Sequence, residues 1–465
     1  MNRGHGWAIQ FGGSGVCADS IDRSGADVKS GPALFWLGVY SLLVLAPLVL
    51  AFSGTVPASG GFAWDFAMAL GFAGVAMVGV QFVLTARFKR LAAPFGIDIV
   101  YYVHRYLAVV LLVLVLGHVI IVGWVDPDSV GPLDPRVAPG YMTVGRIALA
   151  ALLLVTLTSL WRKRLRIEYD VWRHLHAGLA VLALVAAVAH VAGSGHSLDT
   201  PFKRIAWLVL ALVWLLPFIH VRMLRPLRLL RRPYRIESVQ PEHGRAVTIT
   251  VVPDGHAGFD YRAGQFAWLT VRASPFALRE HPFSFSSSPS QPGRLAFTIK
   301  ALGDFTAGLG DLRPGERAHV DGPYGAFGYG RHPHAPGYGF IAGGVGIAPI
   351  ISMLHDLADR GDRRPLALIY CNRVWDNVIF REQLDALAVR LDLRVCHVLG
   401  EPPEQWTGER GLLDDGIVAR HLPEGAARWH YFVCGPTPMI RIAERALSAR
   451  AVPLRRIHSE LFDLA

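Results

Sequence analysis

The sequence predicts a multi-domain chain with three structural parts: a six-helix transmembrane bundle, then an antiparallel β-barrel, then an α/β domain with a parallel sheet. Six apolar runs of about 20 residues, long enough to cross a bilayer, occupy the first half at 33–53, 62–85, 101–123, 142–161, 172–193 and 203–221. Short alternating segments such as "AVTITVV" and "RLAFTIK" follow from about residue 233 and predict antiparallel strands. Beyond about residue 336, strand-like segments alternate with helical ones, which indicates a parallel sheet.

Composition and charge agree with a membrane protein. Hydrophobic residues make up 52% of the chain, and the mean hydropathy is +0.35. The basic segments "ARFKR", "WRKRLRIEYD" and "VRMLRPLRLLRRPYR" follow the second, fourth and sixth runs. Because Lys and Arg accumulate on the cytoplasmic side, we expect a multi-pass protein of the cell inner membrane with both termini in the cytoplasm.

The net charge of +10 is concentrated beside the membrane, so it favours anionic lipid headgroups over nucleic acid as the partner. Residues 1–30 are rich in Gly and Ser and predict a flexible cytoplasmic tail, with the first span retained. Lys203 and Arg204 are an exception to the charge pattern because they lie on the outer side. They could attract an anionic chelate or superoxide, or anchor the sixth span at the interface.

The four cysteines, Cys17, Cys371, Cys396 and Cys434, form no CxxC pair. The spacing therefore argues against an iron–sulfur cluster or a zinc site. All four fall in segments assigned to the reducing cytoplasm, where no disulfide is expected.

Histidines repeat at the same interval in two of the apolar runs. His104 and His118 lie fourteen residues apart in the third, and His176 and His190 lie fourteen apart in the fifth. Fourteen residues at 3.6 per turn return to within about 40° of the same helix face. Two such helices can hold two metal centres, one near each membrane surface and about 21 Å apart along the axis.

A neighbouring histidine, His174, competes with His176 for the role of ligand. It lies sixteen residues before His190, which rotates it by about 160° away from the face of His190. We therefore expect His176 to be the ligand and His174 to lie at the cytoplasmic interface.

The identity of the metal follows from the surroundings of the ligands. A bare ion with two histidine ligands would leave coordination positions open in hydrocarbon, whereas a haem fills four positions itself and needs only axial ligands. No CxxCH occurs, so the sequence predicts two non-covalent b-type haems, an inner one on His104 and His176 and an outer one on His118 and His190. Arg105 could neutralise a haem propionate or extend to the inner surface.

A glycine-rich turn marks a candidate nucleotide site in the last third of the chain. Gly343, Gly344 and Gly346 lie between a predicted strand and a predicted helix. Glycines let the backbone approach a pyrophosphate, and the following helix offers free N–H groups. The spacing is not the GxGxxG of dehydrogenases.

Six motifs carry a family resemblance: "HPFSFSS" (281–287), "IKALGDFT" (299–306), "DGPYG" (321–325), "GGVGIAPI" (343–350), "VCGPTPM" (433–439) and the ending "HSELFDLA". In this order they resemble the ferredoxin-reductase-type flavoenzymes. With the paired histidines upstream, residues 33–465 resemble the NADPH oxidase and ferric reductase superfamily, particularly its bacterial members. With the tail predicted at 1–30, we expect three further domains: a haem-binding transmembrane domain (31–222), an FAD-binding barrel (233–332) and an NAD(P)-binding domain (336–465).

The resemblance also implies a set of site residues. Those expected at the FAD are His281, Pro282, Phe283, Ser284, Phe285, Ser286, Lys300 and Thr306. Those expected at the NAD(P) are Gly343, Gly344, Val345, Gly346, Arg373, Arg381, Cys434, Gly435 and Pro436. Ser284 is expected at the reactive edge of the flavin, Cys434 beside the nicotinamide, Phe462 against the flavin face and Glu460 close to it.

Two of these positions have a second interpretation. Thr306 resembles the residue that contacts FAD phosphate in similar enzymes, but it could also be an ordinary helix cap. Many eukaryotic oxidases have Thr at the position of Ser284, while soluble reductases favour an Arg-x-Tyr-Ser pattern, so the acceptor cannot be taken from either branch. Arg373 or Arg381 could receive a 2′-phosphate, which favours NADPH, with NADH possible.

We expect electrons to pass from NAD(P)H through FAD and the two haems to an acceptor outside, with oxygen reduced to superoxide as the leading choice. Reduction of a ferric or cupric chelate is the main alternative. A haem-bearing membrane subunit that donates electrons to a periplasmic protein is another. A soluble-type reductase merely anchored to the membrane would leave the repeated histidine spacing unexplained.

Overall fold

The computed structural model describes residues 30–51, 53, 60–86, 97–195, 198–277, 279–423 and 425–461. Cys17, Phe462 and, apart from Ser30, the predicted tail at 1–30 lie outside the described residues. The three-part fold class predicted from the sequence is confirmed.

The N-terminal part consists of long apolar helices. They are α1 (Ser30–Ala51), α2 (Phe62–Thr85), α3 (Ile97–Val125), α4 (Gly140–Leu160), α5 (Tyr169–Ser194) and α6 (Pro201–Ile219). In the described part of the chain, α2 to α6 are long and apolar enough to cross a membrane, whereas the apolar stretch in α1, Gly38–Ala51, is shorter. Five of the six predicted spans therefore meet this criterion.

The helices pack in pairs. α2 packs along α3 and α4 packs along α5, while α3 and α5 make no comparably close contact within the described ranges. Trp207 and Trp214 of α6 meet edge to face with ring centroids 6.0 Å apart, and both are buried. Gly79 of α2 admits the Trp214 ring, since a Cβ there would lie 2.2 Å from it.

The start of α6 contains Lys203 and Arg204, the two cations that are exceptions to the predicted charge pattern. Thr200 caps the helix by accepting a hydrogen bond from the Lys203 backbone N–H. The Lys203 side chain is 1% exposed, pairs with Asp199 at 3.1 Å and donates to the Ala51 carbonyl. Arg204 donates to the Leu198 carbonyl at 2.9 Å. Both cations therefore bind groups of the protein itself.

A closed antiparallel sheet follows the membrane helices. α6 continues through a π turn at His220–Leu224 into α7 (Arg225–Leu230). The strands are β1 (Tyr234–Glu242), β2 (Ala246–Pro253), β3 (Phe266–Val271), β4 (His281–Ser284), β5 (Leu295–Lys300) and β6 (Arg317–Tyr324), in the order β4-β3-β6-β1-β2-β5. A bridge between Phe285 and Phe297 joins the two edges into a barrel.

The C-terminal sheet is parallel throughout. Its strands are β7 (Tyr338–Gly343), β8 (Leu366–Asn372), β9 (Leu393–Leu399), β10 (Glu409–Arg410), β11 (His430–Cys434) and β12 (Ile457–Glu460), in the order β10-β9-β8-β7-β11-β12. The helices are α8 (Ile347–Asp359), α9 (Arg381–Arg390), α10 (Asp415–His421) and α11 (Thr437–Ala449). They form two apolar cores, one with α8 and α9 and one with α10 and α11.

A buried carboxylate connects the barrel to the parallel-sheet domain. Asp356 of α8 is 3% exposed. It accepts hydrogen bonds from the Tyr329 hydroxyl at 2.5 Å, the Ser290 hydroxyl at 2.7 Å and Arg360 Nε at 2.9 Å. Ser290 belongs to the barrel and Tyr329 to the segment between β6 and β7, so one side chain joins three parts of the chain.

Replacing Asp356 with Ala is expected to lower the free energy of unfolding by about 2 to 4 kcal/mol, because buried donors lose their acceptor. Asp359→Ala on the same helix is the control, since it removes a half-exposed ion pair with Arg390 and should cost less than about 1 kcal/mol. Thermal unfolding of the full-length protein in detergent measures both. Equal losses of unfolding free energy in the two variants would show that the hydrogen bonds of Asp356 contribute no more than an exposed ion pair does.

Candidate functional site

The two outer histidines have matched surroundings. His118 Nδ1 lies 2.8 Å from the Ala67 carbonyl of α2, and His190 Nδ1 lies 2.8 Å from the Tyr141 carbonyl of α4. A carbonyl oxygen can only accept, so Nδ1 carries the proton in both rings and Nε2 keeps its lone pair for a metal.

Glycines create the space for these contacts. A Cβ on Gly71 of α2 would lie 2.9 Å from His118 Nδ1, and a Cβ on Gly145 of α4 would lie 2.7 Å from His190 Nδ1. Each outer ring therefore lies directly against the backbone of the helix that orients it.

The inner histidines face each other. The ring centroids of His104 and His176 are 6.2 Å apart. Metal–imidazole bonds of about 2 Å on either side of one iron would put the centroids roughly 6.3 Å apart. His176 Nδ1 lies 3.1 Å from Ser159 Oγ, which itself donates to the Val155 carbonyl. The inner pair thus fits bis-histidine ligation, and the separation of α3 from α5 provides room for a macrocycle.

The competing histidine lies elsewhere. His174 is exposed, and its Nδ1 lies 2.7 Å from the carbonyl of Asp170, one turn earlier in the same helix. This placement favours His176 as the ligand, the choice made from the sequence. Arg105 is exposed beside His104, and both of its predicted roles stay open.

Ser284 is the last residue of β4 and lies in the middle of the flavin motif 281–287. It is 4% exposed, and its buried Oγ has no hydrogen-bond partner among the described residues. Ser284 pairs with Phe266 across β3 and β4, and Phe266 pairs with Tyr324 at the end of β6. A buried hydroxyl without a partner costs free energy, so this orphaned group fits the flavin-edge role.

The end of the parallel sheet meets the barrel at this point. Glu460 is in register with Cys434 on the neighbouring strand. A Cβ on Gly325 would lie 3.0 Å from the Phe266 ring and 3.8 Å from Glu460 Oε1. Residues predicted from separate motifs therefore converge where the two domains meet. Phe462, expected at the same place, lies outside the described residues.

The glycine-rich turn packs directly on the segment after β11. A Cβ on Gly346 would lie 2.3 Å from the Cys434 carbonyl oxygen, and a Cβ on Gly435 would lie 3.0 Å from the Gly343 amide nitrogen. Both turns lie at the carboxyl ends of adjacent strands, where nucleotides bind in such sheets. Complete burial, and then the Glu460 carboxylate, raise the pKa of the Cys434 thiol well above its usual range, so the thiol is neutral at pH 7.

Other residues predicted at the FAD have partners within the protein. Phe285 is fully buried in the barrel core, and Ser286 Oγ accepts from Thr298, so these two side chains face inward. Thr306 Oγ1 accepts from the Leu302 and Gly303 amides, which precede it, whereas the side chain of an N-cap accepts from amides that follow it. Their contact with FAD stays a prediction.

The rest of the flavin motif lies nearer the surface. The His281 ring stacks on Phe305 with centroids 3.9 Å apart, and burial lowers the pKa of His281. Pro282, Phe283 and Lys300 are half-buried at the ends of β4 and β5.

The two candidate 2′-phosphate ligands differ in their contacts. Arg373 is 74% exposed and pairs with the 61% exposed Glu401 at 2.9 Å. Arg381 lies over the Trp375 ring at 5.4 Å and donates to Glu382 at 2.9 Å. Arg381 is thus held in place, whereas Arg373 has only an exposed partner.

Contacts between the membrane helices and the barrel were not predicted from the sequence. Arg173 of α5 pairs with Glu280 at 2.5 Å and lies over the Trp268 ring at 5.8 Å. Its neighbour Trp172 has its ring centroid 5.1 Å from that of His176. Trp172 and Arg173 at the start of α5 could have suggested such a contact, but the partner of Arg173, Glu280, lies 107 residues later in the chain.

Three families match this chain in succession. Residues 70–187 match the family described as "Ferric reductase like transmembrane component", residues 235–327 match "FAD-binding domain", and residues 340–445 match "Oxidoreductase NAD-binding domain". The fold and these matches define a multi-pass membrane oxidoreductase with FAD- and NAD-binding domains. The chain has the architecture of the NADPH oxidase and ferric reductase superfamily.

Similarity to the following two curated relatives covers half of the chain or less. "Stachydrine N-demethylase reductase subunit Stc4" of Rhizobium meliloti (strain 1021) is 32% identical over 239 residues, 50% of this chain and 66% of that protein. "NADH-cytochrome b5 reductase 1" of Pyricularia oryzae is 32% identical over 190 residues, 38% of this chain and 60% of that protein. The chain thus spans less than two thirds of these curated relatives. The solved structure of the Amycolatopsis cytochrome P450 reductase GcoB aligns at 22% identity and a TM-score of 0.44, over 50% of this chain and 69% of its own.

Gly145→Ala is expected to displace the His190 ring and to remove about half of the bound haem, because only the outer centre loses a ligand. Gly178→Ala in α5 is the control, since a Cβ there meets nothing within 4 Å. Haem content and reduced-minus-oxidised spectra of the purified variants report the outcome. Full haem retention by Gly145→Ala would contradict the outer site.

His176→Ala is expected to lose the inner haem, whereas His174→Ala should keep both, because His174 is exposed and bonded within its own helix. The same spectra distinguish the two variants. Haem loss on replacing His174, with retention on replacing His176, would reverse the ligand assignment.

Proposed function

We propose that this protein carries electrons from cytoplasmic NAD(P)H through FAD and two b-type haems to an acceptor on the outer face of the cell inner membrane. His104 with His176 would hold the inner haem, and His118 with His190 the outer one. The observation that carries the proposal is the 6.2 Å separation of the inner rings. The three basic segments that follow the second, fourth and sixth apolar runs of the sequence support cytoplasmic termini.

The protein contributes position and electrostatics to this chemistry. Bound FAD would supply the two-electron chemistry with the nicotinamide, and bound haems would supply the one-electron chemistry that follows. The buried Ser284 Oγ can donate a hydrogen bond at the flavin edge. Cys434 offers an uncharged thiol beside the nicotinamide, and the turn from Gly343 to Gly346 admits the pyrophosphate.

Oxygen is the acceptor we favour, with one electron giving superoxide. With two histidines assigned to each haem, no coordination position would remain for a substrate, so the acceptor would be reduced at the haem edge. An anionic ferric or cupric chelate would need attraction at the outer surface. Lys203 is buried against Asp199 and Arg204 donates to Leu198, which weakens the case for these two cations as a chelate-binding site.

Reconstituted full-length protein with NADPH is expected to reduce cytochrome c in a superoxide-dismutase-sensitive manner, faster than it reduces a ferric chelate in the same vesicles. The two rates are measured side by side with and without oxygen. A ferric-chelate rate that exceeds the superoxide rate would identify a metalloreductase.

The same preparation tests donation to a periplasmic protein partner. A subunit that needs such a partner should not oxidise NAD(P)H alone with oxygen present. Steady oxidation by the purified chain would exclude this alternative.

NADPH is the nucleotide we favour, with Arg373 as the residue that receives its 2′-phosphate. An exposed ion pair such as Arg373 with Glu401 contributes little free energy, so the guanidinium can exchange partners.

Arg373→Ala is expected to lower kcat/KM for NADPH about tenfold and to leave that for NADH nearly unchanged, because only NADPH loses a charge-assisted hydrogen bond. Arg381→Ala tests the other candidate in the same assay. Arg394→Ala, an exposed change at the start of β9, is the control and should alter neither value. An unchanged NADPH to NADH ratio in both test variants would reject these arginines as 2′-phosphate ligands.

A further inference from the structure

Three histidines meet in the soluble part of the protein, apart from the histidines of the membrane helices. His332 lies in the segment between β6 and β7, His430 begins β11, and His458 is the second residue of β12. All three are half-buried. Neither the family matches nor the proposed electron path uses them.

The sheet register explains why they come together. His458 of β12 is in register with Phe432 of β11, and His430 lies two residues before Phe432, so all three side chains share one face of the sheet. The His332 ring covers that face, with its centroid 3.9 Å from that of His430 and 4.5 Å from that of His458.

The donor atoms are close enough to share one ion. One ring nitrogen from each histidine can be chosen so that all three lie within 4.8 Å of one another. His430 Nδ1 and His458 Nε2 are already 3.0 Å apart. Three imidazoles on a tetrahedral metal have nitrogens about 3.3 Å apart. The His430 and His458 rings are parallel to within 4° and the His332 ring is stacked on both, so metal binding would require the rings to turn until their nitrogens point at one ion.

We propose that His332, His430 and His458 form a binding site for a single late first-row divalent metal ion, such as Zn²⁺ or Cu²⁺. Three imidazole ligands suit these ions, whereas Ca²⁺ and Mg²⁺ require oxygen. Neutral histidines also bring no compensating charge, and the neighbouring Arg331 opposes a bound dication. The site therefore depends on the direct metal–nitrogen bonds.

The position of the site indicates a structural role for the ion and not a catalytic one. His430 and Cys434 mark opposite ends of β11, about 13 Å apart at the usual rise of a strand, so the ion would lie away from the nucleotide edge. It would join the segment between the two soluble domains to the last two strands of the parallel sheet. Bound metal should consequently stabilise the parallel-sheet domain.

The first test uses full-length protein, purified with its cofactors and dialysed against a chelator, then titrated with Zn²⁺ by equilibrium dialysis and elemental analysis. The wild type and the His334→Gln control, an exposed histidine in the same segment, should each bind one more equivalent than His430→Gln or His458→Gln. In each of these two variants, affinity should fall at least tenfold. Equal Zn²⁺ stoichiometry in all four proteins would overturn the proposal.

A second measurement covers the case in which the variants fail to fold. One equivalent of Cu²⁺ added to the dialysed wild type should give an electron paramagnetic resonance signal split by nitrogen ligands, separate from the signals of low-spin ferric haem. A competing equivalent of Zn²⁺ should weaken it. A Cu²⁺ signal without nitrogen splitting would exclude the three-histidine site.

Discussion

The constraint on which the membrane part depends is the need of a buried imidazole N–H for an acceptor in a medium without water, and the two outer histidines meet it. The carbonyls of Ala67 and Tyr141 meet this need for His118 and His190. Because those acceptors lie on α2 and α4, each histidine helix is bound to a neighbour, and the second ring nitrogen is left for a ligand. The close pairs are thus α2 with α3 and α4 with α5, which leaves α3 and α5 apart from each other.

Specific contacts also fix the barrel against the membrane helices. Arg173 joins α5 to the barrel through Glu280 and Trp268, three residues before His176. Arg225, just after α6, pairs with Asp321 at the end of the barrel at 3.0 Å. These two ion pairs attach the flavin-binding barrel to the start of α5 and to the start of α7, which continues α6. Together they hold the barrel close to the inner histidine pair, which a transfer of single electrons requires.

The sequence alone predicted the features that repeat locally. The fourteen-residue spacing identified four membrane histidines, and helix rotation separated His176 from His174, since both depend only on 3.6 residues per turn. The burial of Lys203 and the contact of Arg173 with Glu280 could not be predicted, because each depends on a partner brought close by folding. The inward-facing Phe285 shows the same limit, since a motif does not reveal which strand face meets the cofactor.

Spacing between histidines also decides what each group of them can bind. The rings of His104 and His176 face each other across separated helices with centroids 6.2 Å apart, and a bare ion there would lack equatorial ligands in hydrocarbon. In the parallel-sheet domain, His430 and His458 approach to 3.0 Å between nitrogens, which leaves no room for a macrocycle. Water can complete the coordination there because the rings are half-buried. The same side chain therefore suits a haem in the membrane and a single ion in the soluble domain.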